Sequence, residues 1–93
     1  MAAYVYVLTN KHNKVLYTGV TKDLRLRLVE HSRGSSWFTT KYKTSKLVYY
    51  EYFGGIEDAI AREKKIKNMS HTEKRTLISS RNKTWQDLTE TLT

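Results

Sequence analysis

The chain contains no cysteine, only three histidines and no long apolar run among its 93 residues. Without cysteine, the chain has neither a disulfide framework nor a thiolate metal site. The histidines (His12, His31 and His71) form no cluster and no His-x-x-x-His spacing, which argues against a zinc site. No run approaches the roughly 20 apolar residues that cross a bilayer, and no signal-peptide pattern opens the chain. We therefore expect a protein of the reducing cytoplasm with no membrane partner.

The length predicts one domain over residues 1–93, with a core at about 3–81 and a C-terminal tail over 82–93. A chain of this size buries only somewhat more than about 60% of its unfolded surface. A single core of helices on a sheet, or of helices alone, fits that limit.

Positive charge dominates, with 17 lysines and arginines against nine acidic residues and a net charge of +8. The excess predicts a polyanionic partner, with nucleic acid ahead of an anionic membrane; the alternative is a basic domain kept soluble by self-repulsion. The charge falls in residues 22–27, 41–46 and 62–75, with aromatic residues between them, a mixture suited to phosphate contact and base stacking. The predicted nucleic-acid-binding residues are Lys22, Arg25, Trp37, Lys41, Lys43, Lys46 and Lys67.

Hydrophobic periodicity predicts three strands and three helices in the order ββαβαα. The predicted strands cover residues 4–9, 15–18 and 46–53, and the predicted helices cover 22–32, 56–68 and about 70–81. Thr21 is the predicted N-cap of the first helix, and Ser70 with Glu73 forms a capping box for the last. Residues 37–45 are interpreted as a loop or one helical turn. This order predicts an α+β fold with a small three-stranded antiparallel sheet flanked by helices, and we place the first strand in its centre.

The first two strands are expected to form a hairpin closed by the four residues 10–13. In that register Leu8 lies opposite Val15, and Tyr6 lies directly across from Tyr17 on one face of the sheet. Gly19 is expected to end the second strand in a turn. The register matters for function because a loop one residue longer would put the two phenols on opposite faces.

The stretch LYTGVTKDLRLRLVEH, residues 16–31, brings several polar groups close together. Arg27 and His31 are four residues apart on the predicted helix and therefore share a face. Leucines beside them turn this face inward, close to Tyr17. A cation and an imidazole at the edge of an apolar stripe, near a phenol, predict an anion site.

Glu63 is the second candidate for chemistry, because it interrupts an apolar helix stripe formed by Ile56, Ala59, Ile60 and Ile66. An inward carboxylate needs a cation, a hydrogen-bond donor or a metal, since uncompensated burial costs several kcal/mol. One interpretation is a structural ion pair with a lysine or arginine; the other is a metal ligand.

Five sequence blocks in order resemble the GIY-YIG nuclease superfamily. They are YVY, YTG with the TKDLRLRLVEH that follows it, FTTKY, KLVYYEYF and AIAREKKIK, and they span roughly residues 3–88. Within the superfamily the chain is similar to its small stand-alone bacterial branch, the UPF0213-like proteins. The resemblance implies the same α+β architecture and a metal-dependent nuclease.

The resemblance also implies catalytic roles for Tyr6, Tyr17, Arg27, His31 and Glu63. Tyr17, helped by Tyr6, would activate water, and Arg27 would offset charge on the phosphate. His31 would orient the phosphate or water, or protonate the leaving oxygen. Glu63 would hold one Mg²⁺ or Mn²⁺, metal ions that keep much of their hydration shell.

Each of these residues also has a structural interpretation that the sequence leaves open. Strand tyrosines are more often packing residues than catalysts, and His31 could be a partly buried histidine with a satisfied partner. Arg27 could form an ion pair with Glu30 or with Glu63.

The leading functional prediction is a metal-dependent phosphodiesterase that hydrolyses nucleic acid, with DNA favoured over RNA. The second is a non-catalytic nucleic-acid-binding module with the same fold. The third is a protein-interaction adaptor that uses Leu26 and Val29 on the first helix. A partner protein that supplies specificity, the oligomeric state and the biological pathway are left open.

Overall fold

The computed structural model describes residues 2–33 and 41–92. Its elements follow the order β1 (Ala3–Thr9), β2 (Leu16–Thr21), α1 (Leu24–Ser32), β3 (Lys46–Phe53), α2 (Ile56–Lys67), α3 (His71–Arg81) and a 3₁₀ turn at Thr89–Thr91. The predicted ββαβαα order and the antiparallel sheet are confirmed. The strands lie in the order β2-β1-β3, so the first strand is central, as expected. Trp37 and the other residues 37–40 of the predicted loop or turn lie outside the described residues.

Helices cover both faces of the sheet, and the alternation of β1 assigns its side chains to one face or the other. Val5 and Val7 pack with residues of α2 and α3 in one cluster. Tyr6 and Leu8 pack with Leu24 of α1 in a second cluster. We call these the α2 face and the α1 face. The candidate residues of β1 and β2 are on the α1 face.

The predicted hairpin register is wrong by two residues, although the faces are right. Tyr6 pairs with Gly19, and Leu8 pairs with Tyr17. The loop covers residues 10–15 because the Asn10 side chain closes it: its Oδ1 accepts from the backbone N–H groups of Lys14 at 2.8 Å and Val15 at 3.2 Å. An even shift preserves side-chain direction. The Tyr6 and Tyr17 rings therefore share a face, with their centroids 6.2 Å apart.

Gly19 lies inside β2 and not in a turn, and the second strand continues to Thr21. The prediction that Thr21 caps α1 is also wrong. Asp23 is the N-cap, and its Oδ1 accepts from the Leu26 backbone N–H at 3.1 Å. The Thr21 hydroxyl instead accepts from the Asp23 N–H at 3.2 Å and supports the bend between strand and helix.

A β-bulge in β3 decides which of its side chains face α1. Val7 pairs with Tyr49, whereas Leu8 pairs with Leu47, so Val48 is the extra residue. As a result Leu47 packs on the α1 face and Tyr49 on the α2 face. Without the bulge, Leu47 and Tyr49 would point the same way.

Helix α2 packs on the sheet through Ala59 and Ile66, both fully buried. Ile60, which the apolar stripe was expected to bury, is 38% exposed, so this part of the prediction is wrong. The predicted capping box of α3 is confirmed, because the Glu73 backbone N–H donates to Ser70 Oγ at 3.1 Å and Glu73 Oε1 accepts from the Ser70 N–H at 2.8 Å.

The segment after α3 crosses the outer edge of β3 and returns to the α1 face. Trp85 is buried in the cluster of the α2 face, while Leu88 packs on the α1 face. The Leu88 N–H donates to the Leu47 carbonyl at 2.7 Å, which covers part of this strand edge. Over residues 2–33 and 41–92, each helix is too short or too polar to cross a bilayer.

Candidate active site

The Tyr6 hydroxyl is the centre of a polar cluster between β1 and α1. The Tyr6 ring is fully buried, and its hydroxyl lies 3.0 Å from His31 Nε2. Arg27 Nε donates to the same hydroxyl at 3.3 Å. Both partners reach it because residues four apart share one helix face. We call Tyr6, Tyr17, Arg27 and His31 the Tyr6 cluster.

Tyr17 completes this cluster from β2. Its ring centroid lies 6.2 Å from that of Tyr6 and 5.4 Å from that of His31, with the His31 contact edge to face. Tyr17 is half-buried, whereas Tyr6 is fully buried. Of the two phenols, Tyr17 is therefore the one with access to water.

Gly19 is the residue that makes room for the Tyr6 ring. A Cβ atom at position 19 would lie 2.5 Å from the Tyr6 hydroxyl oxygen and 2.6 Å from its Cζ. Both distances are far inside van der Waals contact, so any side chain here would displace the phenol. Close approach of a ring, and not a turn, is why this strand position holds glycine.

Burial sets the protonation states of the Tyr6 cluster. Burial raises the pKa of Tyr6 to about 12, even though the hydrogen bond from Arg27 opposes this shift. Burial, followed by the positive charge of Arg27, lowers the pKa of His31. At neutral pH Tyr6 is consequently a protonated phenol and His31 a neutral imidazole.

Arg27 carries the positive charge of the cluster and is partly open to solvent. Its Nη1 lies 3.4 Å from Glu30 Oε1, and the side chains of Arg27 and Glu30 are 41% and 43% exposed. Of the two ion-pair partners considered for Arg27, the structure places Glu30 beside it. A pair this exposed contributes about 0–1 kcal/mol, so an incoming anion could replace Glu30 cheaply.

Glu63 does not lie on the same face of the sheet as the Tyr6 cluster. It belongs to α2, its side chain is 14% exposed, and its Oε2 pairs with Lys67 Nζ at 3.2 Å. The neighbouring Arg62 bonds Glu51 of β3 at 2.9 Å. Arg62 and Glu63 flank the buried stripe of α2 on opposite sides. Glu63 therefore leans away from β3 and towards β2, the strand that carries Tyr17.

The donor chemistry around Glu63 suits one kind of metal ion. Among residues 2–33 and 41–92, no group of three or more His, Cys, Asp or Glu side chains could hold a metal. Zinc, which takes three or four protein ligands, does not fit that arrangement. A single carboxylate such as Glu63 fits Mg²⁺ or Mn²⁺, which take most of their oxygen ligands from water and substrate phosphate.

The residues predicted to bind nucleic acid fall in separate places. Lys22 and Arg25 line a cleft at the N-terminal end of α1. Lys41 and Lys43 are exposed at the opposite end of the sheet, where Lys43 lines a second cleft with Lys11 and Tyr42. Lys46 begins β3 at that end, opposite Thr9. Lys67 lies on the α2 face, paired with Glu63.

Sequence reasoning missed three tyrosines on the α1 face: Tyr4, Tyr50 and Tyr52. The rings of Tyr50 and Tyr52 lie 6.3 Å and 5.4 Å from that of Tyr4. Their spacing of two residues in KLVYYEYF was the available signal, because alternate residues of a strand share a face.

Comparison with known proteins finds UPF0213 proteins among the relatives of this chain. A UPF0213 protein of Clostridium perfringens is 39% identical over 79 residues, which cover 84% of each chain. A UPF0213 protein of Staphylococcus saprophyticus is 38% identical over 77 residues, covering 82% of this chain and 93% of the relative. The solution NMR structure of a UPF0213 protein from Bacillus halodurans superposes with a TM-score of 0.59 at 30% identity, covering 100% of this chain and 99% of the other.

Residues 2–76 match the family of the GIY-YIG catalytic domain, and this span contains every element from β1 to the first half of α3. The family match, the relatives and the architecture agree with the resemblance seen in the sequence. The chain belongs to the GIY-YIG catalytic domain family.

Proposed function

We propose that this protein is a metal-dependent phosphodiesterase that hydrolyses nucleic acid, with DNA favoured over RNA. Membership of a family of catalytic domains supports a nuclease-type activity. The observation that carries the proposal is the buried Tyr6 hydroxyl held between Arg27 Nε and His31 Nε2, where the Arg27 side chain is 41% exposed. A structural arginine would normally be enclosed by its partners. Here the side chain is partly exposed, and its acidic neighbour Glu30 is exposed as well, so an anion from solvent could reach it.

In this proposal the two tyrosines have different roles. A phenol whose pKa is about 12 is a poor base at neutral pH, so Tyr6 acts as a hydrogen-bonding group that positions its neighbours. Tyr17, half-buried and with access to water, is the proposed general base. Acting as a phenolate, Tyr17 would take a proton from the water that attacks the phosphorus, and the departing oxygen would take a proton from solvent as the P–O bond breaks.

Arg27 and His31 act on either side of Tyr6. Arg27 donates to a non-bridging phosphate oxygen and offsets the negative charge that develops as water attacks. His31 has its Nε2 at the Tyr6 hydroxyl. A neutral imidazole engaged there positions Tyr6, which is a different role from the two that the resemblance implies for it, orienting the phosphate or water and protonating the leaving oxygen.

Glu63 is the proposed ligand of the divalent ion. When bound, the ion would supply positive charge beside the scissile phosphate. In its absence Lys67 neutralises the carboxylate, and since the Lys67 side chain is 53% exposed, it can swing away at little cost.

The second candidate is a non-catalytic nucleic-acid-binding module. The Lys67–Glu63 pair favours it, because that pair satisfies the carboxylate without a metal. The two candidates differ in whether Glu63 is needed for cleavage or only for the fold.

The test of the proposal is Glu63→Gln, which keeps the shape of the side chain and removes its charge. The parent and the variant are incubated with branched, single-stranded and double-stranded DNA and RNA, with and without Mn²⁺, and both are melted with and without Mg²⁺ or Mn²⁺. We expect metal-dependent cleavage by the parent, loss of cleavage in the variant, and a metal-induced rise in Tm for the parent alone.

The matched control is Glu57→Gln, which removes a carboxylate from the exposed first turn of the same helix. It should leave cleavage and the metal-induced Tm shift unchanged. A parent that binds nucleic acid but neither cleaves it nor responds to metal would establish the binding module. Binding to neither DNA nor RNA would leave the adaptor, for which Leu26 and Val29 are exposed on α1.

A further inference from the structure

A cluster of aromatic side chains lies on the α1 face, next to the Tyr6 cluster. Tyr4 pairs across the sheet with Tyr52, and Tyr6 pairs with Tyr50. The Tyr4 ring meets those of Tyr50 and Tyr52 at angles of 64° and 67°, both edge to face. Edge-to-face contacts hold rings in fixed relative positions. The three tyrosines therefore form a supported surface, which we call the tyrosine platform.

The platform is open to solvent at Tyr52, which is 62% exposed at the end of an edge strand. A single exposed tyrosine is common on protein surfaces, and what distinguishes Tyr52 is the rings that support it and the cleft that Tyr4 lines. Tyr4 supports Tyr52 from within the sheet, and most of the Tyr52 ring remains free to meet a flat partner.

A positively charged cleft adjoins the platform. Its volume is about 370 Å³, and Tyr4 and Tyr50 line it together with Lys22, Asp23 and Arg25. Lys22 and Arg25 outnumber the Asp23 carboxylate; Asp23 caps α1, and Arg25 Nη2 donates to the Leu92 carbonyl. The volume is near the lower end of the range of about 300–1,000 Å³ for small-ligand sites, which suits a single nucleotide unit.

Aromatic rings beside positive charge match the chemistry of an unpaired nucleotide. The base stacks on a ring regardless of its identity, and the phosphate meets a lysine or arginine. A base inside a duplex is already stacked on its neighbours and cannot offer a free face to Tyr52. A basic cleft beside the rings favours a partner that carries phosphate groups over an uncharged protein surface.

The spacing connects the platform to the candidate site. Tyr4 and Tyr6 are two residues apart on the same face of β1, roughly 7 Å along the strand. A nucleotide on the platform would thus flank a phosphate held at Arg27.

We propose that the tyrosine platform, with Tyr52 as its exposed ring, binds an unpaired base of a nucleic acid that flanks the phosphate at the Tyr6 cluster. The inference rests on the nucleic-acid partner in the proposed function, but not on cleavage. It assigns the site a preference for substrates with unstacked nucleotides.

The test is Tyr52→Ala, compared with the parent, in binding titrations without divalent metal. The probes are a single-stranded DNA oligonucleotide and its RNA equivalent, each with one fluorescent 2-aminopurine base, together with the corresponding duplexes. Stacking on the platform should quench the fluorescence of the single strands. Tyr52→Ala should lower single-strand affinity by about 5- to 150-fold and leave duplex affinity nearly unchanged.

Two variants separate stacking from other effects. Tyr52→Phe keeps the ring and should bind like the parent. Leu26→Ala removes an apolar side chain that is 55% exposed on α1, and it should also bind like the parent. Because Tyr52 is mostly exposed, its truncation should leave the Tm close to that of the parent.

Three results would overturn the proposal. One is equal single-strand affinity of Tyr52→Ala and the parent, and another is an equal loss for single strands and duplexes. The third is a Tyr52-dependent dimer in sedimentation, which would make the platform an interface between copies of the chain. The absence of metal from these titrations separates them from the Glu63→Gln test, so binding at the platform and cleavage can fail independently.

Discussion

The two faces of the sheet each hold a tyrosine with an arginine, but only one of these clusters is closed. On the α2 face the Tyr49 hydroxyl donates to Glu51, and Arg62 binds both oxygens of the same carboxylate, at 2.9 Å and 3.0 Å. Arg81 lies over the Tyr49 ring, 5.4 Å from its centroid. We call Tyr49, Glu51, Arg62 and Arg81 the Tyr49 cluster. Its carboxylate is 11% exposed and is held by donors from two elements.

Within residues 2–33 and 41–92, the acidic side chain paired with the arginine of the Tyr6 cluster lies at its exposed side and not inside it. This arginine donates to the Tyr6 phenol, and its acidic neighbour Glu30 lies on the same helix, 43% exposed. In the Tyr49 cluster, burial alone would raise the pKa of Glu51, but the hydrogen bonds from Arg62 and Tyr49 hold it below its usual value. A closed cluster therefore stabilises the fold, while an open one leaves positive charge available for an anion.

Replacing Arg27 or Arg62 with methionine should give the largest difference in behaviour between the two clusters. Arg27→Met should lower kcat for cleavage by about 10²–10³-fold, because it removes a donor to the transition state. Its free energy of unfolding should fall by no more than about 1 kcal/mol. Steady-state kinetics and urea denaturation measure the two effects.

Arg62→Met is the matched change in the Tyr49 cluster. It leaves a mostly buried carboxylate without its bidentate partner, so the free energy of unfolding should drop by about 1–3 kcal/mol. Cleavage by the folded variant should change much less than for Arg27→Met. If Arg62→Met abolished cleavage of the folded protein and Arg27→Met did not, the roles assigned to the two clusters would be reversed.

A substitution at Gly19 tests the Tyr6 cluster by filling the space next to the Tyr6 ring. Gly19→Ala should lower the free energy of unfolding by about 1–3 kcal/mol, because its methyl group overlaps the Tyr6 ring. Cleavage should fall with it, because Tyr6 can no longer lie between Arg27 and His31. Thermal melts and cleavage assays on the folded fraction would separate the two effects.

Gly54→Ala is the control, since a Cβ there meets nothing within 4 Å. The free energy of unfolding should stay within about 0.5 kcal/mol of the parent. Equal behaviour of the two alanine variants would show that the Tyr6 ring can move without penalty, which contradicts the site as described.

The smallest expected effect is a difference in pH dependence between the two clusters. The pKa of His31 is lowered from 6.5, so the unfolded chain binds more protons than the folded one just below that pH. The stability due to His31 is therefore complete above pH 6.5 and is lost as pH falls through its folded pKa. Glu51 behaves in the same sense at lower pH, below its ordinary value of 4.5.

Urea denaturation at several pH values would resolve the two steps. His31→Gln should flatten the pH dependence just below 6.5 and leave the step below 4.5 in place. The expectation fails if His31→Gln and the parent lose stability in parallel between those values. NMR titration of the His31 imidazole in the parent gives an independent measurement of its pKa.

Local signals predicted the elements well and the contacts between them less well. The third strand is correct over residues 46–53, because its apolar and aromatic run ends at two glycines. The hairpin register was wrong because an Asn10 side chain, not a tight turn, closes the loop. The α1 cap was misassigned because both Thr21 and Asp23 are good N-caps, and only the length of β2 decides between them.

The residues of the candidate site also differ in how well the sequence predicted their positions. Spacing on one helix placed Arg27 and His31 together, and alternation on the strands placed Tyr6 and Tyr17 on their side of the sheet. The role of Glu63 as a metal ligand stays a prediction. Its helix lies on the α2 face, so a contact between Glu63 and the Tyr6 cluster would have to run around the edge of the sheet at β2. Sequence periodicity carries no information about such a contact.

The order of the elements, the positive charge and the family follow from the sequence alone, because these depend on composition, local spacing and short motifs. Only the tertiary structure decided which tyrosines share a face with Arg27. One extra residue in β3, Val48, reverses the alternation of that strand and sends Tyr49 to the α2 face while Tyr50 and Tyr52 join the α1 face. A bulge depends on how two strands pair, and pairing is settled by the packing of both faces at once.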